Sequence, residues 1–378
     1  MLNNEYPPLG GGTGTVNQAI LQGFVQHLDI KIDLITTTID KEKKVTLLSD
    51  NVRIFFLPLG IKNIHHASNS ELIKYAIKAF FLAFQLNKKE KYDFSMAWST
   101  LPAGFVSWLL KKTLRLSYII RVGGPDIPGF EERYTKIYKL LGLVIRKSWK
   151  NAEFIIAKCN TEMVMINSFQ PNLKTGLIYN GVNTNLFYPV QKKVNTPLRM
   201  ICPARLIKRK GQDLLIKALS NLKNNGIILQ LDLVGEGDEK ENFIKLAKEL
   251  SVNELINFKG YIPRENMPET YHGADFFVLP SYNEGMSNAL LEAMACGLTP
   301  VVTDVGGTRE LVKNGENGFV FSPGDLMGLT SILSEIAKNP EILGRMGSKS
   351  AEMASRLDWK GIVNEYINVF NAFKTTLV

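Results

Sequence analysis

Residues 276–303 read FFVLPSYNEGMSNALLEAMACGLTPVVT. Phe276 to Leu279 is an apolar run of strand length, Pro280 to Gly285 carries turn residues, and Ser287 or Asn288 can cap a helix. Pro300 to Thr303 is a second apolar run of strand length. Strand, loop, helix and strand in this order make a parallel βαβ unit, and the loop after the first strand lies where such sheets bind ligands.

The alternation extends along the whole chain. Strands are expected over 32–35, 52–57, 94–97, 118–122, 154–157, 198–202, 229–234, 258–260, 276–279 and 300–303, with helical patterns between them. This is an α/β chain with parallel sheets covered by helices. At 378 residues it is long for one domain, and the pattern restarts after Pro197. Tyr188 to Pro197, YPVQKKVNTP, is polar and bracketed by prolines, so the expected division is a first domain over 1–187, a linker over 188–197 and a second domain over 198–358. The last helical stretch, 359–378, is followed by no strand.

Hydrophobic content of 45% and charged content of 21% are those of a globular protein. The net charge of +9 lies entirely in residues 1–190, which hold 23 Lys+Arg against 14 Asp+Glu, whereas residues 191–378 hold 22 against 22. Lys136, Lys139, Arg146, Lys147 and Lys150 fall among apolar residues as in a basic amphipathic helix, suited to an anionic lipid surface or simply to solvent. Cys159, Cys202 and Cys296 are odd in number and sit in apolar surroundings, the pattern of reduced core cysteines. They and His27, His65, His66 and His272 have no zinc-ligand spacing, so no metal is expected. No apolar run is long enough to span a bilayer, and the expected location is cytoplasmic, with any membrane contact peripheral.

Within this frame several segments carry chemistry. Glu284 and Glu292 are separated by seven residues across the loop-to-helix junction, and eight helical steps span roughly 12 Å, about the reach of a sugar, a diphosphate and a ribose. The amides of Gly285, Met286, Ser287 and Asn288 can face a phosphate at the helix start. Arg205 and Lys210, in CPARLIKRKG, are a cation pair suited to a diphosphate, the alternative being a solvated basic loop. LDLVGEGD runs a strand into Gly235 and Gly237, a turn at the carboxyl edge of a sheet. Gly10 to Gly14 open onto a helix expected near Val16, where Gly11 and Gly12 leave the backbone accessible to phosphate. At most Met1 to Asn4 could supply the strand that should precede this loop, which suggests a stunted first strand or a longer reading frame.

Taken together, CPARLIKRKG, LVGEGD, the stretch from FKGYIPRENMPETYHGADFFVLP through SYNEGMSNALLEAMACGLTPVVTDVGGTRE, and IYNGVNTNLF resemble the retaining, nucleotide-sugar-dependent glycosyltransferases of family 4. That resemblance implies the GT-B fold, two Rossmann-like doubly wound domains facing across a cleft, with the final helix crossing back to the first. It also implies roles. Arg205 and Lys210 would hold the donor diphosphate, Glu292 the ribose hydroxyls and Glu284 the transferred sugar. Gly285 to Ser287 would bind phosphate, Gly11 and Gly12 would close over the diphosphate, and the base would lie near Gly260 to Arg264. The first half matches less well: YIIRVGGPDIPGF lacks the histidine that many relatives carry there, leaving Arg121 and Asp126 as the polar residues at hand, with Asp126 the candidate helper.

The expected reaction moves a hexosyl unit from a nucleoside diphosphate sugar to a hydroxyl acceptor, with retention and without a metal, in envelope glycan, lipopolysaccharide or glycolipid synthesis. The rivals are a sugar-nucleotide epimerase on the same fold and a non-enzymatic protein gripping membrane or nucleic acid. Nucleic acid is disfavoured because the basic stretch lacks interleaved stacking motifs and the second half is neutral.

Overall fold

The computed structural model describes residues 1–61, 67–131 and 135–377, with the side chains of 136, 137 and 375–377 outside the description. His65 and His66 therefore lie outside the described residues, as does the side chain of Lys136. The chain forms two compact units, residues 1–180 with 359–378 and residues 181–358.

The first unit begins with a short extended segment and α1 (Gly12–Phe24), then β1 (Ile32–Thr38), β2 (Lys44–Ser49), β3 (Val52–Pro58) and α2 (Asn69–Glu90). It continues through β4 (Phe94–Ala97), α3 (Phe105–Leu114), β5 (Ser117–Arg121), α4 (Thr135–Asn151), β6 (Phe154–Ala157), α5 (Asn160–Phe169) and β7 (Thr175–Leu177). Strands run in the orders β1-β3-β2 and β4-β5-β6-β7. Leu2 joins them, making parallel bridges to Ile35 of β1 and Ala97 of β4. The first strand is thus a central bridge held by Leu2 N–H to Met96 O at 2.8 Å and Trp98 N–H to Leu2 O at 2.9 Å. One face of the sheet packs its Ile35, Ile120 and Ile155 against Tyr75 and Ala79 of α2, Val106 of α3 and Trp149 of α4.

The second unit holds β8 (Arg199–Pro203), α6 (Gln212–Asn224), β9 (Gln230–Val234), α7 (Lys240–Glu249), β10 (Ile256–Gly260), α8 (Met267–His272) and β11 (Phe276–Leu279). After these come α9 (Asn288–Ala295), β12 (Thr299–Thr303), α10 (Thr308–Leu311), β13 (Phe319–Phe321), α11 (Leu326–Lys338) and α12 (Ile342–Ser355). All six strands pair in parallel in the order β10-β9-β8-β11-β12-β13, the doubly wound arrangement whose direction reverses between β8 and β11. Strands β8, β9, β11 and β12 are nearly continuous buried apolar runs because helices cover both faces.

The last helix, α13 (Trp359–Leu377), belongs to the first unit. Its Phe370 stacks on Phe24 of α1 at 5.5 Å between centroids and meets Phe94 of β4 at 5.0 Å. The polar stretch 188–197 is not a free linker. It lies within the second unit, where Lys192 Nζ reaches His272 O at 3.0 Å and Asn195 N–H reaches Asp275 Oδ1 at 3.1 Å.

Three strands were not anticipated from the pattern. β2 pairs antiparallel with β3 and is largely exposed, while β7 and β13 are three-residue edge strands. Short or solvated strands of this kind leave little periodicity to read.

Candidate functional site

At the switch point of the second sheet the carboxyl ends of β8 and β11 lie side by side, so the loops that follow them converge. Tyr282 N–H donates to Arg209 O at 2.9 Å, and Arg209 Nη1 donates to Asn283 O at 3.0 Å. This brings Lys210, 74 positions away in the chain, into an ion pair with Glu284. Ser281 Oγ donates to the same carboxylate at 2.8 Å. Both charged side chains are nearly enclosed, at 14% and 13% exposure. Burial pushes the Glu284 carboxyl up, but Lys210, Arg209 and Ser281 together outweigh it and hold the group below the ordinary carboxylate value.

Ser287 caps α9, its Oγ accepting from Leu290 N–H at 3.3 Å, and Met286 beside it is buried. Gly285 is fixed by the neighbouring loop through Gly307 N–H to its carbonyl at 2.8 Å. Glu292 lies in the second turn of α9 and is 8% exposed. Arg264 Nη2 approaches its Oε1 at 3.0 Å, and Tyr271 Oη donates to its Oε2 at 3.2 Å. Burial raises the Glu292 carboxyl above its usual value, with Arg264 and then Tyr271 opposing. Glu284 and Glu292 thus differ in electrostatic state as well as in position.

Arg205 is exposed on the loop after β8, and its carbonyl accepts from Gln212 Nε2 at 2.9 Å. Gly235 and Gly237 are needed for backbone packing. A Cβ at Gly235 would meet Ala204 O at 2.3 Å, and one at Gly237 would meet Leu206 O at 2.3 Å. The GEG turn is therefore the scaffold on which the Arg205 loop rests, with Leu206 N–H bonded to Glu236 O at 3.0 Å.

In the first unit, the glycine loop enters its helix at Gly12, four residues earlier than the sequence suggests, because Thr15 N–H already bonds Gly11 O at 3.3 Å. A Cβ at Gly11 would meet nothing within 4 Å, and the Gly11 amide donates to Glu5 Oε2 at 3.3 Å. Asp126 accepts from the amides of Thr100 and Gly123, so its carboxylate ties the loop after β5 to the one after β4. Arg121 is not at the surface. It is 2% exposed, donates from Nε to Tyr366 Oη at 2.6 Å and from Nη2 to Asn180 Oδ1 at 2.5 Å, and lies 4.9 Å from the Trp98 ring.

Arg264 is legible in the sequence only as the edge of the base-binding stretch and not as the partner of Glu292, and nothing there points to Tyr271 or to the buried pair Lys158–Glu162 at 2.9 Å beyond β6. A basic and an acidic residue four apart are common on surface helices, so only burial distinguishes this pair. Cys159, Cys202 and Cys296 are buried, and burial pushes the Cys202 and Cys296 thiols up to about 12. Among the described residues no helix is long and apolar enough to cross a membrane.

The fold is α/β of the GT-B class. Residues 186–353 match the family described as Glycosyl transferases group 1, and the chain is an enzyme of that kind, a glycosyltransferase. An uncharacterized glycosyltransferase of Methanocaldococcus jannaschii is 25% identical over 98% of this chain and 97% of its own length. Among solved structures, sucrose-phosphate synthase from Thermosynechococcus elongatus superposes with a TM-score of 0.84 at 21% identity, covering 97% of this chain and 94% of that one. Anabaena HepE, solved in complex with UDP-glucose, superposes with a TM-score of 0.74 at 18% identity over 98% of both chains.

Proposed function

We propose that the protein is a retaining hexosyltransferase of the family 4 type that takes its sugar from a nucleoside diphosphate donor and passes it to a hydroxyl acceptor. The observation that carries this reading is the pairing of Lys210 with Glu284 at the switch point, one loop before the helix that bears Glu292. A donor laid along this edge would place its diphosphate at Lys210, Arg205 and the capped start of α9, its ribose at Glu292 and its sugar at Glu284. Gly285, Met286 and Ser287 would offer backbone groups to the phosphates. Gly235 and Gly237 would act on the donor through the loop they support.

Departure of the nucleoside diphosphate builds negative charge on its β-phosphate, and Lys210 and the α9 N-terminus are fixed in advance to receive it. These groups serve in place of a metal. The carboxylate of Glu284, relieved of Lys210 once the cation turns to the diphosphate, can accept hydroxyls of the sugar and offset positive charge at the anomeric carbon. Asp126 would act by holding the acceptor-side loops in register, as a positioning residue. The cytoplasmic face of an envelope, with a glycan precursor or lipid-linked sugar as acceptor, suits the basic helix α4. A thermal-shift panel of UDP-, GDP- and ADP-hexoses tests the reading, since a bound donor stabilises the fold by mass action. One base and one sugar should stand out; a flat panel at millimolar donor would overturn it.

A further inference from the structure

Helix α2 carries Ile73, Ile77 and Phe81 one above another at four-residue spacing, and they are 62%, 54% and 62% exposed. Its opposite side buries Tyr75, Ala79 and Ala83 in the core, so the outer stripe is not part of the unit's own packing. Lys74, Lys78, Lys88 and Lys89 are exposed on the same helix. Of its two acids, Glu71 is buried in the cap with Ser68 and Glu90 pairs with Arg53. Helix α4 repeats the arrangement: Leu140 and Leu143 are 81% and 75% exposed beside Lys139, Arg146, Lys147 and Lys150, and the helix contains no acidic residue. α3 packs between α2 and α4, and all three close on the same core, so the two stripes belong to one side of the unit.

We infer that this three-helix side is a docking surface for an anionic lipid bilayer, with the Ile73–Phe81 stripe and Leu140 and Leu143 entering the headgroup boundary and the lysines and arginines meeting lipid phosphates. Exposed large apolar residues on helices whose exposed charges are basic, apart from Glu90 in its ion pair with Arg53, are the composition of interfacial helices. A second copy of the chain is disfavoured, because a two-fold contact would set these cations against themselves. Nucleic acid would use the cations and leave five large apolar side chains in water. Helix α2 leads into β4 and α4 into β6, so their first halves, with Ile73, Ile77, Leu140 and Leu143, point to the carboxyl edge of the parallel strands. The loops after β4 and β5 lie at that edge, and docking would hold them close to the bilayer. The docking stands on this surface alone; only its purpose, presenting a lipid-linked acceptor, rests on the transferase reading.

The test is co-sedimentation of the full chain with vesicles of pure phosphatidylcholine and of phosphatidylcholine with phosphatidylglycerol. The wild type should partition to the anionic vesicles, less so as salt rises, and Ile73→Ser/Ile77→Ser/Phe81→Ser should weaken partitioning roughly tenfold or more. Lys147→Glu/Lys150→Glu should lose the anionic preference. As a readout that does not depend on the triple variant folding, Phe81→Cys labelled with an environment-sensitive fluorophore should shift to the blue on anionic vesicles, the three native cysteines being buried. No partitioning by the wild type, an unshifted label, or a wild-type dimer that the triple variant dissolves would overturn the proposal. UDP-glucose and GDP-mannose thermal shifts, measured on the same samples, report on the donor reading separately, and loss of either result leaves the other standing.

Discussion

Lys210 and Glu284 form an ion pair across the switch point of the second sheet, joining the loop after β8 to the loop after β11. Each is the other's nearest compensation in a site that excludes most water. The pair therefore links the stability of the two loops to the charge state in which a donor would find them.

Lys210→Ala should lower turnover by roughly 10² to 10³ if the cation stabilises the leaving diphosphate. The same change leaves Glu284 enclosed without its cation, which typically costs about 3–5 kcal/mol. In the wild type the depressed Glu284 carboxyl contributes stability at neutral pH that is lost as pH falls through its folded value. In the variant burial dominates, the sign reverses, and stability should decline as pH rises above the ordinary carboxylate value. Urea titrations at several pH values check this, and Lys210→Met/Glu284→Gln should recover stability without recovering turnover.

For Glu284→Ala the loss should appear mainly in kcat, because the carboxylate is placed for the transferred sugar and not for the nucleotide. Donor affinity, read by calorimetry, should change by only a few-fold. A defect confined to affinity would move Glu284 from the reacting sugar to the nucleotide.

Arg264→Gln should alter the pH dependence of nucleoside diphosphate binding. Glu292 already protonates above the ordinary carboxylate value because burial outweighs Arg264 and Tyr271. Of the other groups facing it, Tyr271 and Cys296 are both raised by burial and stay neutral below pH 8. Without the guanidinium the Glu292 value rises further, so affinity for UDP or GDP should begin to fall at a higher pH than in the wild type. At mildly acidic pH binding should therefore be weaker in the variant than in the wild type, and the two should converge as pH rises. Analogues lacking the 2′ and 3′ hydroxyls should show no such pH dependence, and a profile matching the wild type would remove Arg264 from this role.

Phe370→Ala should cost about 3 kcal/mol or more in the first unit, since the ring is buried between Phe24 and Phe94. Hydrogen exchange should speed up in α1 and β4 and leave β8, β9 and β11 protected as before. Equal loss in both units would mean that α13 stabilises the second unit too.

Much of the fold was legible because buried parallel strands are continuous apolar runs: Phe94–Ala97, Phe154–Ala157 and Phe276–Leu279 were read at their observed bounds. β2 was not, because an exposed antiparallel strand presents no such run. The helix start at Ser287 was readable from capping chemistry, whereas the start at Gly12 was not, since glycine gives no propensity signal for where a helix begins. Arg121 and Asp126 looked like available polar groups, yet the first is buried against Trp98 and Tyr366 and the second is occupied by backbone amides.

By itself the sequence determined the α/β class, the start of α9 at Ser287 or Asn288 and the position of Glu284 before and Glu292 within that helix, because these follow from local periodicity and hydrogen-bonding chemistry. Only the tertiary structure decided what each glutamate meets. Parallel strand order sets residues 74 apart side by side, so Glu284 faces Lys210 and Glu292 faces Arg264; burial pushes both carboxyls up, but the partners of Glu284 outweigh it and those of Glu292 do not, so the two shift in opposite directions. Order within a sheet is a long-range choice, made by packing over both faces, and no window of residues along the chain contains it.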